Sequence, residues 1–152
     1  MPPKFTLQTV LDVRHSKVES LEIDLGQLQQ AKLQKENYMQ SLYVAQDNLY
    51  EALHQSMTGE LDLIQVNLLR ANINQLSAKL EAVNQAIMQL DQAIGMKRSD
   101  LIEAKKEEES LKLLKNKEYE RYLEEEKEKE KRFMDDVYIS QGFRQRKTEV
   151  FL

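Results

Sequence analysis

Apolar residues recur along the middle of this chain at alternating steps of three and four. From Val66 the positions are Val66, Leu69, Ile73, Leu76, Leu80, Val83, Ile87, Leu90, Ile94, Lys97, Leu101 and Ala104, and eleven of these twelve are apolar. A 3-4 spacing held over more than five repeats is the signature of a coiled-coil helix with one narrow apolar seam. Such a helix needs a partner helix along its length.

A second register supplies the partner. It runs through Leu11, Arg14, Val18, Leu21, Leu25, Leu28, Lys32, Lys35, Met39, Leu42, Gln46, Leu49, Leu53 and Ser56, with nine of fourteen apolar. Lys32 and Lys35 interrupt it, and Ala31 and Tyr38 lie beside the seam to carry the contact there. Thr6 is placed to cap the first helix, with Phe5 and Val10 as a hydrophobic staple. Between the registers lie Met57, Thr58 and Gly59. Gly59 is suited to a left-handed helix end, His54 sits in the last turn before it, and Glu60 and Asp62 put acid in the first turn after it. A break this short joins antiparallel neighbours.

These signals predict an all-α fold, a long antiparallel two-helix coiled-coil hairpin within one chain. Helix 1 is expected at about 6–56, a turn at 57–59, helix 2 at about 60–141 and a tail at 142–152, all in a single stalk domain spanning 1–152. Facing positions should sum to roughly 116, twice the turn centre, so that both seams end together. At 1.5 Å per residue the helices measure about 75 and 120 Å, which leaves the C-terminal helix overhanging its partner.

The overhang has its own character. Residues 105–132 hold ten basic and ten acidic side chains, many in the i,i+4 order that supports exposed helix. A solvated helix without a binding role is one reading of this charge. Leu111, Leu113, Leu114, Tyr119, Tyr122 and Leu123 argue against a bare spacer, and Phe133, Met134, Val137 and Tyr138 form a further apolar patch. Gly142 is expected to end the helix before a tail that contains Arg144, Arg146 and Lys147.

Composition narrows the function classes. The 152 residues include 4 Gly and 2 Pro, no Cys, and 32% charged residues, as expected of long helix. The absence of cysteine removes disulfides and thiolate metal sites, and the net charge of −4 argues against nucleic acid as a partner. No apolar run is long enough for a membrane span or a signal peptide. His15 and His54 are too far apart on one helix to share a metal, and no glycine-rich phosphate loop occurs. A two-helix rod has no enclosed site. The expectation is therefore a non-enzymatic protein with no cofactor and no metal. Gly26 and Gly95 fall just after seam positions; they read either as a hinge or as tolerated exposed glycines.

The opening residues Phe5, Thr6, Leu7, Gln8, Thr9, Val10, Leu11, Asp12, Val13 and Arg14, followed by Val18, Glu19 and Leu21, resemble the start of the flagellar export protein FliJ family. The short Gly59 turn, the longer second helix and the charged stretch ending in Asp135, Asp136 and Val137 before further basic residues are also similar. The sequence departs from that pattern at Lys32 and Lys35 and at its apolar end, Val150, Phe151 and Leu152.

The resemblance implies a cytoplasmic stalk, similar to the central shaft of rotary ATPases and peripheral to an inner-membrane export apparatus. The end carrying both termini would enter a hexameric export ATPase, and the shaft would contact an export-gate membrane protein and export chaperones. The candidate ring contacts are Phe5, Leu7, Arg14, Tyr119, Arg121, Tyr122 and Leu123. Phe5 and Leu7 can equally pack against Leu111 and Leu114. Tyr43 and Tyr50, one heptad apart, with Leu68 opposite, are the candidate gate contacts, edge packing over the seam being the alternative. Two other functions compete. A structural coiled coil would run helix through Gly59 and pair between chains, whereas an export chaperone or adaptor would use apolar residues at the tip, such as Leu61, Leu63 and Ile64.

Overall fold

A computed structural model of the chain describes residues 4–150, with side chains through Gln145. The fold is all-α. Helix α1 spans Gln8–Met57 and helix α2 spans Leu63–Val150, and the two pack against each other as a hairpin. No strand occurs among the described residues. Both helices contribute to two compact units, one formed by Lys17–Ala104 and the other by Met1–Ser16 with Lys105–Leu152.

In the Lys17–Ala104 unit the 3-4 seam is the core. Val66, Ile73, Leu76, Leu80, Val83, Ile87, Ile94, Leu101 and Ala104 are buried on α2, and Val18 and Leu42 on α1. Of the α1 register positions in this unit only Lys35 is exposed. Two apolar clusters result. One gathers Leu42, Leu76, Leu80, Val83 and Ile87, with Met39, Ala45 and Leu49 against it; the other gathers Val18, Leu101 and Ala104, with Leu21 and Leu25.

Between the clusters the seam turns polar and crosses itself with charge. Lys32 reaches Asp91 at 2.6 Å and Glu36 at 3.6 Å, and Lys97 reaches Asp24 at 3.5 Å. The hydrogen bond to Asp91 holds the Lys32 ammonium above its ordinary pKa. The lysine that interrupts the α1 seam is thus accommodated by a carboxylate of the facing helix. Tyr38, expected to carry the contact there, is exposed.

These pairs correct the expected register. Positions 24 and 97 sum to 121 and positions 32 and 91 to 123, not 116. The cause is the turn, which occupies 58–62 rather than 57–59. Helix α1 runs on to Met57 and closes with the Thr58 N–H and hydroxyl donating to the Gln55 carbonyl at 3.2 and 2.8 Å. Asp62 does not lie in the first turn of α2 but caps it, its Oδ1 accepting the Ile64 N–H at 3.1 Å. Gly59 sits in this turn without the expected left-handed conformation, which no described glycine adopts.

Two other boundaries differ from expectation. At the start, a backbone turn from the Gln8 N–H to the Phe5 carbonyl at 3.0 Å leads into α1, where a Thr6 side-chain cap was expected, and Val10 is exposed. At the other end, Gly142 does not stop α2, which continues to Val150. A glycine disfavours helix by only about 1 kcal/mol, and the helix runs through Gly142. The expected tail at 142–152 is therefore helical through Val150, while Phe151 and Leu152 of the apolar end lie outside the described residues.

Candidate functional site

The candidate ring contacts all fall in the unit made by the first residues and the second half of α2. There the first turns of α1 lie against residues 105–122. Phe5 and Leu11 are buried. Phe5, Lys115, Glu118 and Tyr119 line a hollow of about 60 Å³, far smaller than a cofactor pocket. Phe5 is buried beside this hollow, which Tyr119 also lines, whereas Leu7 is 38% exposed.

Two side-chain contacts fasten this segment to α2. The Arg14 guanidinium donates to the Glu107 carboxylate. One residue on, His15 Nδ1 lies 2.9 Å from Glu108 Oε1, and Lys112 Nζ meets the same oxygen at 2.9 Å. Glu108 is 6% exposed, a buried carboxylate at a seam position. The hydrogen bond from Lys112, with that of His15, holds its carboxyl below the ordinary carboxylate range, and the same contact raises the Lys112 ammonium. A charge buried in an apolar seam is tolerated when it is paired and hydrogen-bonded on this scale.

Sequence reasoning passed over His15 and Glu108 as a pair. The signal was nevertheless present. The steps from Leu101 through Ala104 to Glu108 and Leu111 keep the 3-4 spacing, so Glu108 occupies a seam position and requires a donor across from it.

Beyond these contacts α2 presents a wet face. Tyr119 and Tyr122 stand with ring centroids 6.4 Å apart and planes tilted by 33°, a loose aromatic pair. Tyr119 is 51% and Leu123 42% exposed, and every residue from Leu123 to Gln141 is exposed. Arg121 is exposed as well. Of the seven candidates, then, the structure brings Phe5 together with Tyr119 and Tyr119 with Tyr122, and ties Arg14 to Glu107.

The candidate gate contacts belong to the Lys17–Ala104 unit. Tyr43 and Tyr50 are both about half exposed on one face of α1, and Leu68 is exposed on α2. At the turn, Leu61, Leu63 and Ile64 are also exposed, Ile64 at 82%.

The family described as Flagellar FliJ protein matches residues 3–147. The chain belongs to the FliJ family. No curated protein and no solved structure matches it. FliJ membership places the chain among the components of flagellar protein export. As a FliJ chain it carries no helix, among the described residues, long and apolar enough to cross a membrane, and no group of three or more side chains able to hold a metal ion.

Proposed function

We propose that this FliJ-family chain is the non-enzymatic central stalk of a flagellar or type III export apparatus, inserting into a hexameric export ATPase and coupling it to the export gate. The observation that carries the reading is the face of α2 from Tyr119 onward, where half-exposed aromatic and aliphatic side chains sit in a field of both charge signs. Such a surface can touch a ring wall while no single charge sign fixes it in one orientation. Leu7, Tyr119, Arg121, Tyr122 and Leu123 make the ring contacts in this reading. Phe5, which is buried, and Arg14, which pairs with Glu107, hold the first residues against α2 in this reading. Tyr43, Tyr50 and Leu68 meet the gate protein, and export chaperones use the remaining shaft. The protein works in the cytoplasm and reaches the membrane only through these partners.

The test is a titration of the chain into the export ATPase of the same organism, read as ATP turnover and as ring mass. Stimulated turnover with one copy per hexamer supports the stalk. Unchanged turnover and no added mass, from chain shown to be helical, refutes it.

One observation favours a second reading. Leu61, Leu63 and Ile64 leave an apolar tip exposed, which suits a chaperone or adaptor that shields export cargo. Replacing Leu63 and Ile64 with Asp would abolish cargo binding under that reading and leave ATPase stimulation intact under the stalk reading. A structural coiled coil pairing between chains calls for helix across Gly59, and the chain breaks there.

A further inference from the structure

Beyond the first residues of α1, α2 carries a stripe of its own. It runs through Tyr119, Leu123, Glu126, Glu130, Phe133 and Val137, at steps of four, three, four, three and four. The alternation keeps these positions on one face of a helix with 3.6 residues per turn, a face turned away from that of Leu111 by the successive steps of four through Lys115. Along this stripe Tyr119, Leu123, Phe133 and Val137 are exposed, Phe133 at 67%. Leu123, Glu126, Lys127, Lys129, Glu130 and Phe133 line a shallow open groove. Two apolar pairs thus flank two central carboxylates, with lysines on the rims.

A second copy of the chain is a poor fit to this face. Antiparallel pairing that matches apolar to apolar sets Tyr119 against Val137 and Leu123 against Phe133, and it then forces Glu126 against Glu130 twice. Parallel pairing sets Glu126 against Glu126 and Glu130 against Glu130. Either way four carboxylates meet at the centre, and like charges brought together across an interface are disfavoured.

The chain itself shows how a charged seam position is satisfied. Lys32 takes Asp91, Lys97 takes Asp24 and Glu108 takes His15 from the facing helix, even though Glu36 and Lys112 reach Lys32 and Glu108 from their own helices, as Lys129 reaches Glu126 at 4.0 Å. By the same chemistry the geometry points to a docking site on the 119–137 face for an amphipathic helix of another protein. That helix carries Arg or Lys at two central seam positions, apolar residues at the seam positions on either side, and acid on its flanks opposite Lys127 and Lys129. The inference deepens the ring-contact reading, with which it shares Tyr119 and Leu123, by naming the chemistry of what this face meets.

The test uses the full chain and a synthetic helix of about three heptads. The helix has Leu at the outer seam positions, Arg at the two central ones and Glu on the flanks; its counterpart has Glu at the centre. Fluorescence anisotropy should show the Arg-centred helix binding about tenfold more tightly than the Glu-centred one. The order should reverse for the chain carrying Glu126→Lys and Glu130→Lys, with helicity checked by circular dichroism. Phe133→Ala, a change at an exposed position, should weaken both helices. Absence of binding, or equal binding of the two helices, overturns the proposal. So does self-association of the wild-type chain that Phe133→Ala abolishes, since a second copy would then cover the face. The assay contains no ATPase. Peptide preference with unresponsive turnover defeats the ring reading alone, and responsive turnover without peptide preference defeats this inference alone.

Discussion

Replacing Tyr119 and Leu123 together with alanine removes the two most prominent apolar groups at the start of the wet face of α2. Their exposure sets the size of the effect. Fully burying an aliphatic or aromatic side chain contributes about 1.5–3 kcal/mol. Leu123 has 42% of its surface still available and Tyr119 has 51%, so a partner that covers both gains roughly half of that from each. The combined loss is about 1.4–2.8 kcal/mol, a tenfold to hundredfold rise in the concentration of chain needed for half-maximal ATPase stimulation. The fold should tolerate the change, because exposed helix positions accept alanine within about 0.5 kcal/mol. Circular dichroism and the melting temperature of the variant should therefore stay close to wild type. Phe5→Ala gives the contrasting pattern, since that ring is buried. It should speed amide exchange in the first turns of α1 as well as weaken stimulation. If the double variant remains helical and its half-maximal concentration does not move, Tyr119 and Leu123 face solvent in the working complex and the ring-contact reasoning is wrong.

Other consequences are as direct. Leu80→Ala, in the cluster with Leu42, Leu76, Val83 and Ile87, should cost about 2–3 kcal/mol in urea unfolding, whereas Met88→Ala at a half-exposed position should cost under about 0.5. Because Glu108 has a folded-state pKa below its unfolded value, its contribution is complete above the ordinary carboxylate range and is lost as pH falls through the lowered value. Amide exchange of residues 8–16, corrected for its intrinsic pH dependence, should therefore rise on acidification. Glu108→Gln should already exchange fast at neutral pH and show a flatter profile. Asp62→Ala removes the cap on α2 and should lower stability by about 1 kcal/mol in thermal melts, with Asp62→Asn retaining most of it.

The sequence made the core legible and the boundaries much less so. The seam could be read because one physical requirement, a continuous apolar stripe on a helix, repeats at every turn; from Val66 to Leu111 each register position is buried or half-buried. The turn was misplaced because its centre depends on single hydrogen bonds. Thr58 prolongs α1 and Asp62 delays α2, and neither contact leaves a periodic trace. Gly142 misled for a related reason, since a glycine ends a helix only when the residues after it offer the chain another path. At the candidate site, the exposed character of Tyr119 and Leu123 followed from their position outside the expected register. The Glu108 cluster required knowing which α1 residue stands opposite, and a register sum wrong by five to seven residues conceals that.

The crossed charges between the two apolar clusters also act as a vernier on the hairpin. An apolar seam alone matches itself nearly as well after a slide of one heptad, because leucine meets leucine again. The charges do not match again. A slide in one direction carries Lys32 from Asp91 toward Arg98 and leaves Asp24 facing Ala104; a slide in the other gives Lys32 Asn84 and sets Asp24 against Leu90. Lysine on α1 with aspartate on α2, then aspartate on α1 with lysine on α2, is a two-digit code that only one alignment spells. A helix pair indexed in this way can bend or be pushed along its axis and still return to the same residue-to-residue match.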